Sequence, residues 1–135
     1  MPLFLMEVNK MIESYSTNIT VGANANVPFN STSLQKGCTV TKTAPDTFAL
    51  NKCGVYMVEC DASAAASTTI QLFKDGVAQN QAQSTGSSTS FTTLVQVTEN
   101  NSCCPCSSPT DLQVKNVGTA SSTFTNANIV VTKVV

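Results

Sequence analysis

Residues 46–78 restrict the fold of this chain more than any other segment. They read DTFALNKCGVYMVECDASAAASTTIQLFKDGVA. Within VYMVECDA every second residue from Tyr56 onward is apolar, which is typical of a strand buried on one face, and we place the Tyr56 face inward. Asp75-Gly76 predicts a type I′ hairpin turn, because both central residues of that turn have positive φ. The segment therefore predicts antiparallel sheet, and it contains no catalytic motif.

The rest of the chain continues this pattern of strands and turns. Turn residues recur about every 8–12 positions, which indicates a sandwich or jelly roll rather than a parallel sheet. We therefore predict an all-β fold, an antiparallel β-sandwich of the jelly-roll type with about 8–10 short strands. The polar residues 81–89, QAQSTGSST, are predicted to form a loop. The chain has 135 residues, so we expect one such domain, over residues 17–135.

Residues 1–16 are predicted to form a separate N-terminal segment, either a leader or an anchor to a larger particle. Four apolar residues recur there at helical spacing: Leu5, Val8, Met11 and Ile12. The candidate residues for attachment to a particle are Leu3, Phe4, Leu5 and Met6. Glu7 interrupts this apolar patch and no basic residue precedes it, so we do not expect a signal peptide.

The composition argues against several classes of function. Charged residues make up 11% of the chain, and histidine and arginine are absent. Histidine is the commonest general base and a common metal ligand, so its absence argues against an enzyme, and we predict no cofactor. The seven lysines are scattered along the sequence, so we predict no nucleic-acid partner. No apolar run approaches the ~20 residues that span a bilayer, so we predict no membrane partner.

Three motifs follow one another along the chain in a characteristic order. DTFALNKCGVYMV has the spacing F-x-L…G-x-Y-x-V, and TTIQLFKDGVA has I-x-L-x-x-N-G with Asp75 in place of asparagine. The third motif, D-x-L-x-V-x-N…A-x-I-x-V, is matched by Asp111, Leu112, Val114, Asn116 and Ile129. Across residues 19–135 the chain resembles the trimeric jelly rolls of the tumour-necrosis-factor/complement class. Phage head-fibre and capsid decoration proteins and collagen-like spore-surface proteins contain similar domains.

This resemblance implies a compact homotrimer in which apolar residues line the contact between subunits. The strands predicted around residues 55–58 and 70–73 carry apolar residues on both faces, and such a strand is either covered or lies at an interface. We predict that the trimer interface contains Val55, Met57 and Phe73. The alternative is ordinary coverage of these residues by the second sheet or by the N-terminal segment.

The resemblance does not explain the six cysteines, and three alternatives stay open. The candidates for a disulfide, or for a cluster of exposed thiols, are Cys53, Cys103, Cys104 and Cys106. A disulfide requires an oxidising environment. A thiolate metal site is the third alternative, although the chain has neither a second C-x-x-C pair nor a histidine. Cys60, and with it Cys38, is expected to be buried as a small apolar residue.

The favoured hypothesis is a structural virion protein, a trimeric capsid decoration or head-fibre protein on the surface of a phage particle, made in the host cytoplasm. Its partners would be two further copies of itself and a capsid or other particle protein. The chain contains no collagen-like glycine repeat, which favours the phage proteins over the spore proteins. The alternative is a surface-exposed binding module of a spore or fibre tip that recognises a host-surface glycan or receptor through its polar loops.

Overall fold

The computed structural model describes residues 10–98 and 109–135. The strands are β1 (Met11–Val21), β2 (Ser31–Lys36), β3 (Val40–Ala44), β4 (Thr47–Leu50), β5 (Gly54–Lys74), β6 (Val77–Val97), β7 (Thr110–Asn116) and β8 (Ser122–Lys133). All pairings between them are antiparallel, which confirms the predicted all-β fold. Within the described ranges, no helix is long and apolar enough to cross a membrane.

Strands β5 and β6 form one long hairpin that belongs to both layers of the sandwich. Each strand has 21 residues, and the two pair along nearly their whole length. The turn between them has φ values of 50° at Asp75 and 80° at Gly76. Both values are positive, as the predicted type I′ turn requires.

A shift in register between Ser63 and Thr68 divides this hairpin between two sheets, because irregular pairing lets a strand bend. Before the shift β5 pairs with β8, and after it β5 pairs with β7. The first sheet has the order β2-β1-β8-β5-β6 and contains the first half of β5 and the second half of β6. The second sheet has the order β3-β4-β7-β5-β6 and contains the other halves.

The inward side chains of both sheets form one core, and they include the face of β5 that the sequence predicts. Tyr56, Val58 and Cys60 are at most 1% exposed and pack within this core. Full burial of a large apolar side chain stabilises a fold by about 1.5–3 kcal/mol. Tyr56 also donates its hydroxyl hydrogen to the Lys52 carbonyl at 2.7 Å, so its polar end has a partner in the protein.

The loop predicted at residues 81–89 is wrong, because these residues belong to β6. Ala82 and Thr89 are buried, and the Thr85 hydroxyl oxygen lies 2.7 Å from that of Thr69 on β5. Uncharged Ser and Thr side chains fit a pleated, half-buried surface and form hydrogen bonds across strands. This segment therefore pairs as a strand without large apolar residues.

The helical pattern predicted near the N-terminus is wrong where the structure describes it. Met11–Val21 is a strand that pairs with β2 and β8, so the predicted boundary between residues 16 and 17 falls inside β1. Ser16 occupies a buried, inward position of β1. Because it is polar, the alternating pattern of a strand is not visible in the sequence there. Its hydroxyl donates to the Pro28 carbonyl at 2.8 Å and accepts from the Asn30 N–H at 2.7 Å. These hydrogen bonds make a buried serine acceptable there.

Gly54 begins β5 with a φ of 148°, a conformation that residues with side chains rarely adopt. A Cβ atom there would overlap the Val135 carbonyl oxygen and the Lys133 side chain. We expect Gly54→Ala to lower the free energy of unfolding by about 3 kcal/mol, measured by urea denaturation. Gly22→Ala is the control, because its Cβ would meet only Ala25 Cβ, at 3.9 Å. Equal stability of the two variants would contradict this expectation.

Candidate subunit interface and charged end

The outer surface of the first sheet presents apolar side chains outside the core. Met11, Met57 and Leu94 lie in one row of register partners that runs across the strands. On the same face, Val55 lies in the next row on one side and Val130 in the next row on the other. We refer to these five residues as the apolar face. Leu94 is 61% exposed, and the other four are half-buried. A group of solvent-accessible apolar residues around one exposed leucine is typical of a contact surface.

Carboxylates lie beside the apolar face. Glu13 and Glu59 lie on either side of Val130 in the register of the sheet, and Asp61 follows two residues further along β5. Glu13 Oε1 accepts a hydrogen bond from the Ser33 hydroxyl at 2.8 Å. In the described part of the chain, no three His, Cys, Asp or Glu side chains come together as a metal site requires. The carboxylates therefore form a polar rim, as protein interfaces commonly have.

The structure brings two of the three predicted interface residues together and separates the third. Val55 and Met57 lie on the apolar face, whereas Phe73 pairs with Gln113 of β7 in the second sheet. The Lys115 ammonium lies 5.1 Å from the centroid of the Phe73 ring, within the range of a cation–π interaction. Phe73 thus packs against a side chain of its own subunit, on a different sheet from the apolar face.

Leu94 is the residue of this surface that sequence reasoning missed. The buried apolar residues Phe91, Val95 and Val97 recur on one face of β6 with a period of two. Leu94 is out of phase with them, so its side chain lies on the opposite face of the strand. This break in the alternation is the sequence signal that identifies it.

The three described cysteines differ in their states. Cys53 is disulfide-bonded, Cys38 is an exposed free thiol, and Cys60 is a buried free thiol. Burial, and to a smaller degree the Asp61 carboxylate, raises the pKa of the Cys60 thiol and keeps it unreactive. The expected burial is thus confirmed for Cys60 and wrong for Cys38. The cysteines outside the described residues are Cys103, Cys104 and Cys106.

Five of the seven lysines lie at one end of the sandwich, although they are scattered along the sequence. These are Lys10, Lys36, Lys52, Lys74 and Lys133, and we call their location the basic end. The Lys133 N–H donates to the Lys10 carbonyl at 2.9 Å, and Lys36 pairs with the residue that follows Lys10. The Lys74 ammonium donates to a carbonyl near the end of β6 at 2.7 Å. Lys52 lies just before β5, whose first residue pairs with the last residue of β6.

The opposite end, which we call the neutral end, includes two turns and the middle segments of β5 and β6, none of which contains a charged residue. The turns are residues 22–25 and 117–121, and the strand segments are residues 64–67 and 86–88. The buried amide of Asn116 connects three of these segments or the residues next to them. Its Nδ2 donates to the carbonyls of Val21 and Ala120, both at 3.1 Å. Its Oδ1 accepts from the Thr68 hydroxyl at 3.0 Å and from the Gly118 N–H at 2.9 Å.

The attachment residues predicted from the sequence lie outside the described residues. They are Leu3, Phe4, Leu5 and Met6, and the description of the chain begins at Lys10. Since Lys10 belongs to the basic end, the segment that contains the four predicted attachment residues joins the domain at that end.

The fold is similar to several solved structures. PRD1 vertex protein P5 matches with a TM-score of 0.65 at 13% identity, covering 94% of this chain and 98% of that one. The globular domain of zebrafish complement 1qA matches with a TM-score of 0.64 at 10% identity, covering 93% and 98%. Eiger tumour necrosis factor from S. frugiperda matches with a TM-score of 0.66 at 12% identity, covering 93% and 94%. At such identities the likeness shows the fold alone.

These neighbours confirm the resemblance to tumour-necrosis-factor/complement-like jelly rolls that the motifs indicate. A search of curated protein sequences finds no match. A family model, described as the BclA C-terminal domain, matches residues 11–135. The match covers all eight strands, from β1 to the end of β8. The chain therefore belongs to the BclA C-terminal domain family.

Proposed function

We propose that this chain is a non-enzymatic structural protein that forms a homotrimer on the surface of a particle. The observation that carries the proposal is the apolar face, where Leu94 is 61% exposed beside Met57. A second copy that covers this face would remove its apolar side chains from water. A trimer is also what the resemblance to the tumour-necrosis-factor/complement class implies.

A structural role fits the chemistry of the side chains. The chain has no histidine to act as a general base, and the buried Cys60 thiol cannot serve as a nucleophile. Surface proteins of particles need stable folding and attachment rather than catalysis. Three linked subunits would strengthen a weak individual contact with the particle through effective concentration.

The particle that we favour is a phage, on which the trimer would act as a capsid decoration or head-fibre protein. The chain would then be found on the virion surface, with a capsid or other particle protein as its partner. The similarity of the fold to PRD1 vertex protein P5 supports this choice. Tight binding of the purified chain to empty capsids is the result expected from this proposal.

The second candidate is a surface binding module of a spore or fibre tip that recognises a host glycan or receptor. Two observations favour it: membership of the BclA C-terminal domain family, and the uncharged segments of small residues at the neutral end. Specific binding of the purified chain to a host-surface glycan, without binding to capsids, would favour this candidate over the first.

The first experiment is to measure the mass of the full chain by light scattering after gel filtration, with and without reductant. We expect a species of about 43 kDa in both conditions, three times the 14.2 kDa of the chain. A 14.2 kDa monomer in both conditions would contradict the trimer.

The same measurement tests the cysteines. Cys53 lies at the end of the sandwich where β6 ends and β7 begins, so the intervening segment starts and finishes near it. We propose that Cys53 pairs with one of Cys103, Cys104 and Cys106. Such a pair within one chain leaves the trimer intact when it is reduced. A trimer lost on reduction would instead indicate disulfides between chains.

A further inference from the structure

The charge of the molecule is distributed unevenly along the sandwich. The basic end has five lysines and, among the described residues, two side-chain carboxylates, those of Asp75 and Asp111. These two aspartates are joined at that end by a hydrogen bond from the Asp75 N–H to the Asp111 carbonyl at 2.8 Å. The turns of the neutral end have no charge. A chain of formal net charge −1 thus presents one positively charged end.

The lysines of the basic end differ in how firmly they are held. Lys74 and Lys133 each donate from Nζ to a main-chain oxygen at 2.7 Å, so these two ammonium groups are anchored at that end. Lys36 and Lys52 are exposed, and Lys10 is half-buried. Anchored cations lose less freedom on binding, while exposed ones can reach towards a partner. The combination suits contact with an anionic surface.

The proposed trimer would concentrate this charge. Rotation about a single axis keeps the basic ends of all subunits at the same height, so three sets of five lysines would lie in one ring. The segment that contains the candidate attachment residues joins each domain at Lys10, within this ring. The positive charge therefore lies at the end where the segment with the predicted anchor joins the domain.

We propose that the basic end is the docking surface for an acidic protein surface on the particle that carries the trimer. This inference rests on the proposed function and adds which end of the domain faces the particle. An acidic protein is favoured over a nucleic acid because the chain has no arginine for bidentate contacts with phosphates.

Two triple variants of equal net charge test this inference. The first removes three positive charges from the basic end and spares the anchored lysines; it contains Lys10→Gln, Lys36→Gln and Lys52→Gln. The second adds three negative charges to exposed positions of the neutral end; it contains Ala66→Glu, Ser87→Glu and Thr119→Glu. Both have a formal net charge three units below the original −1. Only the location of the change distinguishes them.

Binding of the full chain and of both variants is measured on surfaces coated with poly-L-glutamate, heparin or duplex DNA. We expect the unmodified chain to bind polyglutamate at about 20 mM salt and to lose at least about tenfold in affinity at about 150 mM. The basic-end variant should bind at least about tenfold more weakly at low salt, and the neutral-end variant within about twofold of the unmodified chain. Thermal unfolding verifies that both variants are folded.

Several results would overturn the docking surface. They are equal binding by the basic-end variant and the unmodified chain, an equal loss in both variants, and binding to DNA or heparin without binding to polyglutamate. Light scattering separates these results from failure of the proposed function. A trimer that does not bind polyglutamate contradicts the docking surface alone. A monomer that binds polyglutamate through its basic end contradicts the trimer alone.

Discussion

Replacement of Asn116 by alanine is expected to lower the free energy of unfolding by about 3–5 kcal/mol. The buried amide of Asn116 makes four hydrogen bonds, to the carbonyls of Val21 and Ala120, the Thr68 hydroxyl and the Gly118 N–H. Each buried polar group that loses its partner costs about 1–3 kcal/mol. The total stays below the sum because turns at the end of a sandwich can relax towards water. Thermal unfolding should show a midpoint lower by about 10–15 °C.

Asn126→Ala is the matched control for this prediction. Asn126 has the same side chain and lies in β8, but it is exposed. Its replacement should change the free energy of unfolding by no more than about 0.5 kcal/mol. A loss below about 1 kcal/mol for Asn116→Ala would mean that the turns of the neutral end do not depend on this amide.

The substitution Leu94→Glu is expected to prevent formation of the proposed trimer without unfolding the subunit. Leu94 is exposed in the single subunit, so a charged side chain there remains in water and leaves the core intact. A subunit contact over the apolar face would bury this new carboxylate near Glu59, which lies diagonally across the strand pair, and burial of unpaired like charges is costly. We expect the dissociation constant of the trimer to rise at least about 100-fold, measured by analytical ultracentrifugation over a dilution series.

Val77→Glu provides the control for the interface. Val77 is 63% exposed, close to the 61% of Leu94, and lies on the same strand next to the hairpin turn, away from the apolar face. This variant should assemble like the unmodified chain. If both variants remain trimeric, the contact does not involve the apolar face. If both become monomers, the effect comes from added charge rather than from the position of Leu94.

Local chemistry explains which parts of the fold were predictable from the sequence. The strand around Tyr56 and the turn at Asp75-Gly76 were both identified, because alternation and turn geometry depend on neighbouring residues. The N-terminal part of β1 and the middle of β6 were missed. Their inward positions include Ser16 and Thr89, whose burial depends on hydrogen bonds to distant residues or to neighbouring strands. Hydrophobic periodicity does not detect such positions.

The candidate site was predictable only in part, for a related reason. Val55 and Met57 could be placed together because residues two apart on a strand share a face. Phe73 could not be separated from them, because the bend that carries its part of β5 to the second sheet depends on pairing with β8 before the shift and with β7 after it. The clustering of the lysines depends on pairings such as Met11 with Lys36. Such distant pairings follow from topology rather than from local sequence.

The pairing of the first strand with the last has a consequence for synthesis on the ribosome. The β5–β6 hairpin joins residues close in sequence and can form as soon as it is synthesised, whereas β1 must wait for β8 before it gains its central neighbour. The apolar face requires both strands, because Met11 of β1 and Val130 of β8 lie in neighbouring rows only when the two strands pair. An interrupted chain therefore never acquires the surface that subunits would recognise. Translation to the last strand thus acts as a checkpoint that admits only complete subunits to assembly.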